Sequence, residues 1–104
     1  MWQKIIKSFT DNPRDVQTNP LGKRTKLWFY VYVEDGKLYV DRAKEHMPSS
    51  NLSKRRMLSS GAEKCNIMYD IYRRRKCGAP VSAEATATTV NQVYWYGIFA
   101  DLGL

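Results

Sequence analysis

Two cysteines and one histidine are all that 104 residues offer to thiol, imidazole and metal chemistry. That scarcity removes most catalytic classes at the outset. Cys65 and Cys77 are too few for a disulfide framework. On one helix, a rise of about 1.5 Å per residue would separate them by roughly 18 Å, too far to bridge. Every Ser-His or Cys-His arrangement would have to rest on His46. A zinc site would need both cysteines, His46 and a carboxylate, and neither CxxC nor HxxxH spacing is present. No run approaches the roughly 18 to 20 apolar residues of a membrane span. The opening MWQKIIKSF is interrupted by Gln3, Lys4 and Lys7, so no secretory h-region is expected. These absences lead us to expect a reduced, cytoplasmic, non-enzymatic protein with no cofactor and no bound metal.

Acidic residues are also scarce. Ten Asp and Glu face 17 Lys and Arg, a formal net charge of +7. Such a surplus attracts phosphate backbones, anionic lipid heads or acidic protein faces. It also keeps a protein dispersed by self-repulsion, whatever its function. The length suits a single domain over residues 1–104, with enough burial to fold without a disulfide or metal.

What is present is clearest at Leu27 to Arg42, LWFYVYVEDGKLYVDR. Two runs rich in β-branched and aromatic residues flank Asp35-Gly36, the strongest short-range signal for a two-residue hairpin turn. The turn sets the register: Glu34 opposite Lys37, Val33 opposite Leu38, Tyr32 opposite Tyr39, Val31 opposite Val40. Alternation then gives one aliphatic face, Leu27, Phe29, Val31, Val33, Leu38 and Val40, expected to be core. Trp28, Tyr30, Tyr32 and Tyr39 share the other face with Glu34, Lys37 and Asp41. Stacking on nucleobases and packing against protein both suit that second face.

Around the hairpin, Trp2, Ile5, Ile6 and Phe9 have the spacing of a short amphipathic helix. Residues 11–26 read as an irregular connection broken at Asn12-Pro13, Asn19-Pro20 and Gly22. Residues 50–58, SNLSKRRML, predict a short helix capped by Ser49 or Ser50, and Ser60-Gly61-Ala62-Glu63 fits a capping box opening a helix over AEKCNIMYDIYRRRK. Its last turn, Arg73 to Lys76, sets cations against the negative end of the helix dipole. The closing VYWYGIFADL is apolar throughout and fits either element. We expect a strand there, because an isolated hairpin needs a third partner. The expected fold class is therefore α+β: a small antiparallel sheet built on the 27–42 β-hairpin plus a C-terminal strand, covered by two or three helices.

Two motifs invite comparison and carry nothing over. Leu21-Gly22-Lys23-Arg24-Thr25 lacks the first glycine of a phosphate-binding loop, and it precedes a strand where that loop follows one. Gly97 to Gly103 is superficially similar to the end of the LAGLIDADG homing-endonuclease helix, but the metal-binding acidic position falls on Leu102.

Three basic runs remain: Lys23, Arg24 and Lys26; Lys54, Arg55 and Arg56; and Arg73, Arg74, Arg75 and Lys76. Each alone is what a solvated loop or helix end carries. Together they make phosphate contacts the leading expectation, because every phosphate neutralised releases counterions. The leading function class is therefore DNA or RNA binding, with Trp28, Tyr30, Tyr32 and Tyr39 as stacking or interface residues. The alternative is a protein-interaction module, a homodimer or the binder of an acidic protein. A small His- or metal-dependent hydrolase or nuclease stands third and would need His46 in a cleft beside Asp41 or Glu45. Cations and aromatics on one continuous surface would favour nucleic acid. Opposite faces would favour a protein partner.

Overall fold

The turn behaves as its residues demand. Asp35 and Gly36 both take positive φ, 52° and 73°, which the hairpin geometry requires and which these two residue types tolerate. In the computed structural model, which describes residues 1–22 and 24–104, strands β2 (Trp28–Glu34) and β3 (Lys37–Arg42) pair in the expected register. Phe29, Val31, Leu38 and Val40 are fully buried on the inner face.

The sheet has four antiparallel strands in the order β1-β2-β3-β4. Its outer members are β1 (Arg14–Gln17), paired to β2, and β4 (Arg56–Ser59), paired to β3. Both correct the sequence reading. Part of the irregular 11–26 connection is a strand, and the end of the helix expected over 50–58 is another. Each is only four residues long, too short for alternation to register before the partner strand is known. Val16 and Leu58 are the residues each sends into the core.

The closing stretch is also corrected. It forms helix α4 (Gln92–Asp101), preceded by α3 (Ser82–Thr88), and is not a C-terminal strand. The partners that the hairpin needed are β1 and β4 instead. Tyr94 to Phe99 are all buried, so α4 is the central helix of the core, apolar around its whole circumference. Such a segment has no amphipathic period by which to recognise it. Gly97 makes the packing possible. A Cβ there would stand 2.7 Å from the Gln17 carbonyl oxygen and 3.0 Å from two carbons of the Phe29 ring.

Helices α1 (Trp2–Asp11) and α2 (Ala62–Lys76) complete the layer over the inner face. α1 buries Trp2, Ile5 and Phe9, and α2 buries Cys65, Met68, Ile71 and Tyr72. The capping box does not form. The N-cap of α2 is Gly61, with no side-chain cap, and the nearby hydroxyl of Ser59 is engaged with the Gly61 backbone. Arg14 ties three elements together, donating to Asp101 at 2.6 Å, to Ser8 and to the Asn12 carbonyl. The helices pack against the inner face of the sheet, and on the outer face the 43–48 loop lies over Trp28 and Tyr30.

Candidate nucleic-acid interface

Thr18 and Leu27 close a loop. The Thr18 N–H donates to the Leu27 carbonyl at 2.8 Å, and the Leu27 N–H donates to the Thr18 hydroxyl at 2.9 Å. The chain between them leans toward the C-terminal end of α2, where the Arg75 guanidinium donates to the Asn19 carbonyl at 2.7 Å. That guanidinium also lies over the Tyr96 ring, 4.2 Å from its centroid. The cation is thereby fixed by one hydrogen bond and one aromatic face. Burial pushes the Tyr96 phenol upward, with the Arg75 charge opposing, so the ring beneath the cation is neutral at ordinary pH.

Loop, α2, α3 and α4 enclose a cavity of about 580 Å³. Arg24 from the loop and Arg75 from α2 both line it. Leu27, Pro80, Val81, Ala85 and Val93 give apolar walls, and Thr18, Thr25, Ser82 and Thr86 contribute hydroxyl-bearing side chains. No carboxylate lines it among the described residues. Lys26 lines a neighbouring hollow of about 230 Å³ that shares Thr18 and Asn19 and reaches Asp101. Two of the three basic runs therefore converge here, though they are far apart in sequence. Lys23 belongs to the first run and lies outside the described residues.

The remaining predicted cations are distributed differently. Arg74 is bound to Asp70 and Glu84, and these partners raise its pKa, the Glu84 hydrogen bond most. Arg73 lies over Tyr69, and Lys76 donates to the Leu104 carbonyl while lying over Tyr72. In the middle run, alternation along the strand start separates two neighbours. Arg56 turns inward to Asn91 Oδ1 at 2.8 Å. Arg55 turns outward to the Tyr32 hydroxyl and to Glu34 at 2.6 Å, and these contacts raise its pKa further. Lys54 is exposed. The three runs are therefore not one surface.

Trp28, Tyr30, Tyr32 and Tyr39 sit together, half-buried, on the outer face. Tyr32 stacks on Tyr39 at 5.4 Å and meets Tyr30 at 5.7 Å. Lys44 lies 4.3 Å over Tyr30, and Arg55 4.5 Å over Tyr39. The charges around these rings are mixed, with Glu34 and Asp41 beside Lys37, Lys44 and Arg55. The aromatics stand on the opposite side of the sheet from the α2-end cations.

His46 has a partner that sequence distance concealed. Its Nδ1 lies 2.9 Å from Asp15, and its ring stacks on Trp28 at 4.0 Å. The Asp15 side chain is only 2% exposed and accepts the backbone N–H groups of Lys44, Glu45 and His46. Burial pushes its carboxyl upward, but these donors outweigh that and hold it below its ordinary value. The carboxylate beside His46 is thus neither Asp41 nor Glu45, and the group anchors the 43–48 loop to β1. No cluster of three or more His, Cys, Asp or Glu able to hold a metal occurs among the described residues. No helix among them is long and apolar enough to cross a membrane. Cys65 is buried and Cys77 exposed, both as free thiols.

Two features of the candidate site escaped sequence reasoning: the cavity itself and the place of Gln92 in its wall. The one signal available was the length of the 11–26 connection, since long loops are often functional. Compared with known protein families, curated proteins and solved structures, the chain matches none.

Proposed function

We propose that this protein is a non-enzymatic nucleic-acid-binding module that holds phosphates at the groove between the 18–27 loop and the end of α2. The observation that carries this reading is the convergence of Arg24 and Arg75 on one cavity without a carboxylate in its walls. In such a place phosphate contacts meet no opposing charge, and the apolar walls raise their strength above that in open solvent. Lys26, in the neighbouring hollow, extends the positive charge along the loop. Arg74 is largely neutralised by its carboxylates, so its contribution to phosphate binding is small.

The test is titration of labelled single- and double-stranded DNA and RNA at about 50 and 200 mM salt, the range over which several phosphate contacts lose orders of magnitude in affinity. The expected result is steeply salt-dependent binding. Arg24→Ala should weaken it equally for all sequences and lower the salt slope by about one. Absence of binding at the lower salt refutes the reading.

A second reading is favoured by the separation of aromatics from the α2-end cations. The outer sheet face, with Trp28, three tyrosines, Met57 and Arg55, has the composition of a protein interface, and its mixed charges give no uniform attraction for phosphate. On this reading the face docks an identical chain or another protein. Sedimentation of the wild type against Tyr32→Ser tests self-association. A monomer at all concentrations removes the homodimer.

A further inference from the structure

The cavity behind Arg24 and Arg75 is much larger than phosphate contacts require. A lone phosphate needs cations and N–H donors at a surface. Here the two arginines open onto about 580 Å³ of space, within the roughly 300 to 1,000 Å³ range of small-molecule sites. The walls from Leu27, Val81, Ala85 and Val93 are apolar, suited to a flat or compact organic body.

Gln92 supplies a second and independent observation. It lines this cavity at the start of α4, and its Oε1 is sealed from solvent with no hydrogen-bond partner. An unpaired buried carbonyl is a standing cost to the fold. Oε1 is out of a ligand's reach in its sealed position, but a half-turn about the Cγ–Cδ bond exchanges the two ends of the amide, so the end that is not sealed can donate or accept. Carboxamides pair well with nucleobase edges, which carry donors and acceptors side by side.

We infer that the cavity receives one unstacked nucleotide, with its base among Val81, Ala85 and Gln92 and its phosphate at Arg24 and Arg75. This deepens the nucleic-acid reading and rests on it: the nucleotide would be a strand end or an unpaired residue of a bound chain. Charge complementarity selects the phosphate, and the absence of carboxylates imposes no penalty on it. The apolar walls select a body beyond the phosphate, and the orphaned amide selects a body with hydrogen-bonding edges. The ligand class is therefore a nucleoside monophosphate unit rather than a simple anion or a lipid tail.

The experiment is calorimetric titration of the full chain with the four ribonucleoside monophosphates, their nucleosides and inorganic phosphate, alongside the oligonucleotides. Monophosphates should bind more tightly than both inorganic phosphate and nucleosides, by roughly three- to tenfold per added interaction. At least one should compete with single-stranded oligonucleotide. Two substitutions separate the parts. Thr86→Glu lies on an exposed wall residue and puts a carboxylate into the cavity, so it should abolish monophosphate binding while leaving the melting temperature unchanged. Gln92→Leu removes the unpaired amide at similar volume. It should reduce monophosphates toward inorganic phosphate and erase differences among bases, with stability unchanged or higher; a purely structural glutamine would instead lower stability. Inorganic phosphate binding as well as every monophosphate overturns the nucleotide proposal, while salt-dependent oligonucleotide binding would still support the wider reading. Oligonucleotide binding unaffected by Thr86→Glu likewise overturns it. Monophosphate binding without oligonucleotide binding supports the cavity assignment and refutes the wider reading. Binding of neither refutes both.

Discussion

Replacing Gly97 by alanine adds one methyl group where α4 crosses the sheet, and two opposing effects can be compared. In a helix interior, alanine is favoured over glycine by about 1 kcal/mol. Against that, the new Cβ would lie 2.7 Å from the Gln17 carbonyl oxygen, about 0.7 Å inside the 3.4 Å at which ordinary contact begins. The Gln17 oxygen is backbone, so relief requires β1 or α4 to move. The Phe29 ring, 3.0 Å away and fully buried, has no free space to turn into. Overpacking of this kind costs typically 1 to 3 kcal/mol, and a backbone clash belongs at the upper end. The clash wins by about 1 to 2 kcal/mol, which for a domain of this size lowers the melting temperature by roughly 4 to 12 °C. Thermal and urea unfolding followed by far-UV circular dichroism read the change, with an unchanged urea slope showing that stability alone has moved. A variant as stable as the wild type, or more so, would mean that α4 does not rest directly on β1, and the packing argument for the closing helix would fail.

Asp15→Asn should destabilise by about 2 kcal/mol or more, since a buried carboxylate holding three backbone amides and an imidazole is replaced by a neutral amide that accepts less well. The Asp15 carboxyl is lowered in the folded state. The stability it confers is therefore full above its ordinary value of 3.8 and is lost as pH falls through the still lower folded value. Urea midpoints at about pH 6 and pH 3 should show the wild type losing stability in acid and the variant losing less; equal losses would assign the acid response to other groups. The two thiols should differ sharply in reactivity. Burial pushes the Cys65 thiol up to about 11, so a disulfide exchange reagent at pH 8 should modify the exposed Cys77 at once and Cys65 only on unfolding. Two equally fast thiols would show that the Cys65 side of α2 opens readily.

The hairpin, α1 and α2 were legible because each carries a local signal: two turn residues with positive φ, or an apolar stripe at helical spacing. The edge strands were not, since Arg14–Gln17 and Arg56–Ser59 are pairing events more than propensities. Their residues become strands because β2 and β3 expose unpaired edges beside them. The same limit held for the site. Arg24 and Arg75 were singled out as members of separate basic runs, but nothing in either run says that they face one cavity. Lys54, Arg55 and Arg56 were read as one basic run, and alternation sends Arg55 and Arg56 to opposite sides of the sheet.

The amino-acid order alone therefore determined the charge surplus, the hairpin register, the aliphatic face and the placing of four aromatic rings on the other face. Those are properties of neighbours along the chain, where spacing and steric preference act directly. Tertiary structure alone decided that the all-apolar closing segment is a helix, because a run without polar positions has no period, and Gly97 then allows that helix its close approach to Gln17 and Phe29. It also decided which of the cations are free for a ligand. Carboxylates neutralise Arg74 and Arg55, whereas Arg24 and Arg75 meet none in the cavity they share, and that difference depends on partners brought together from distant parts of the chain.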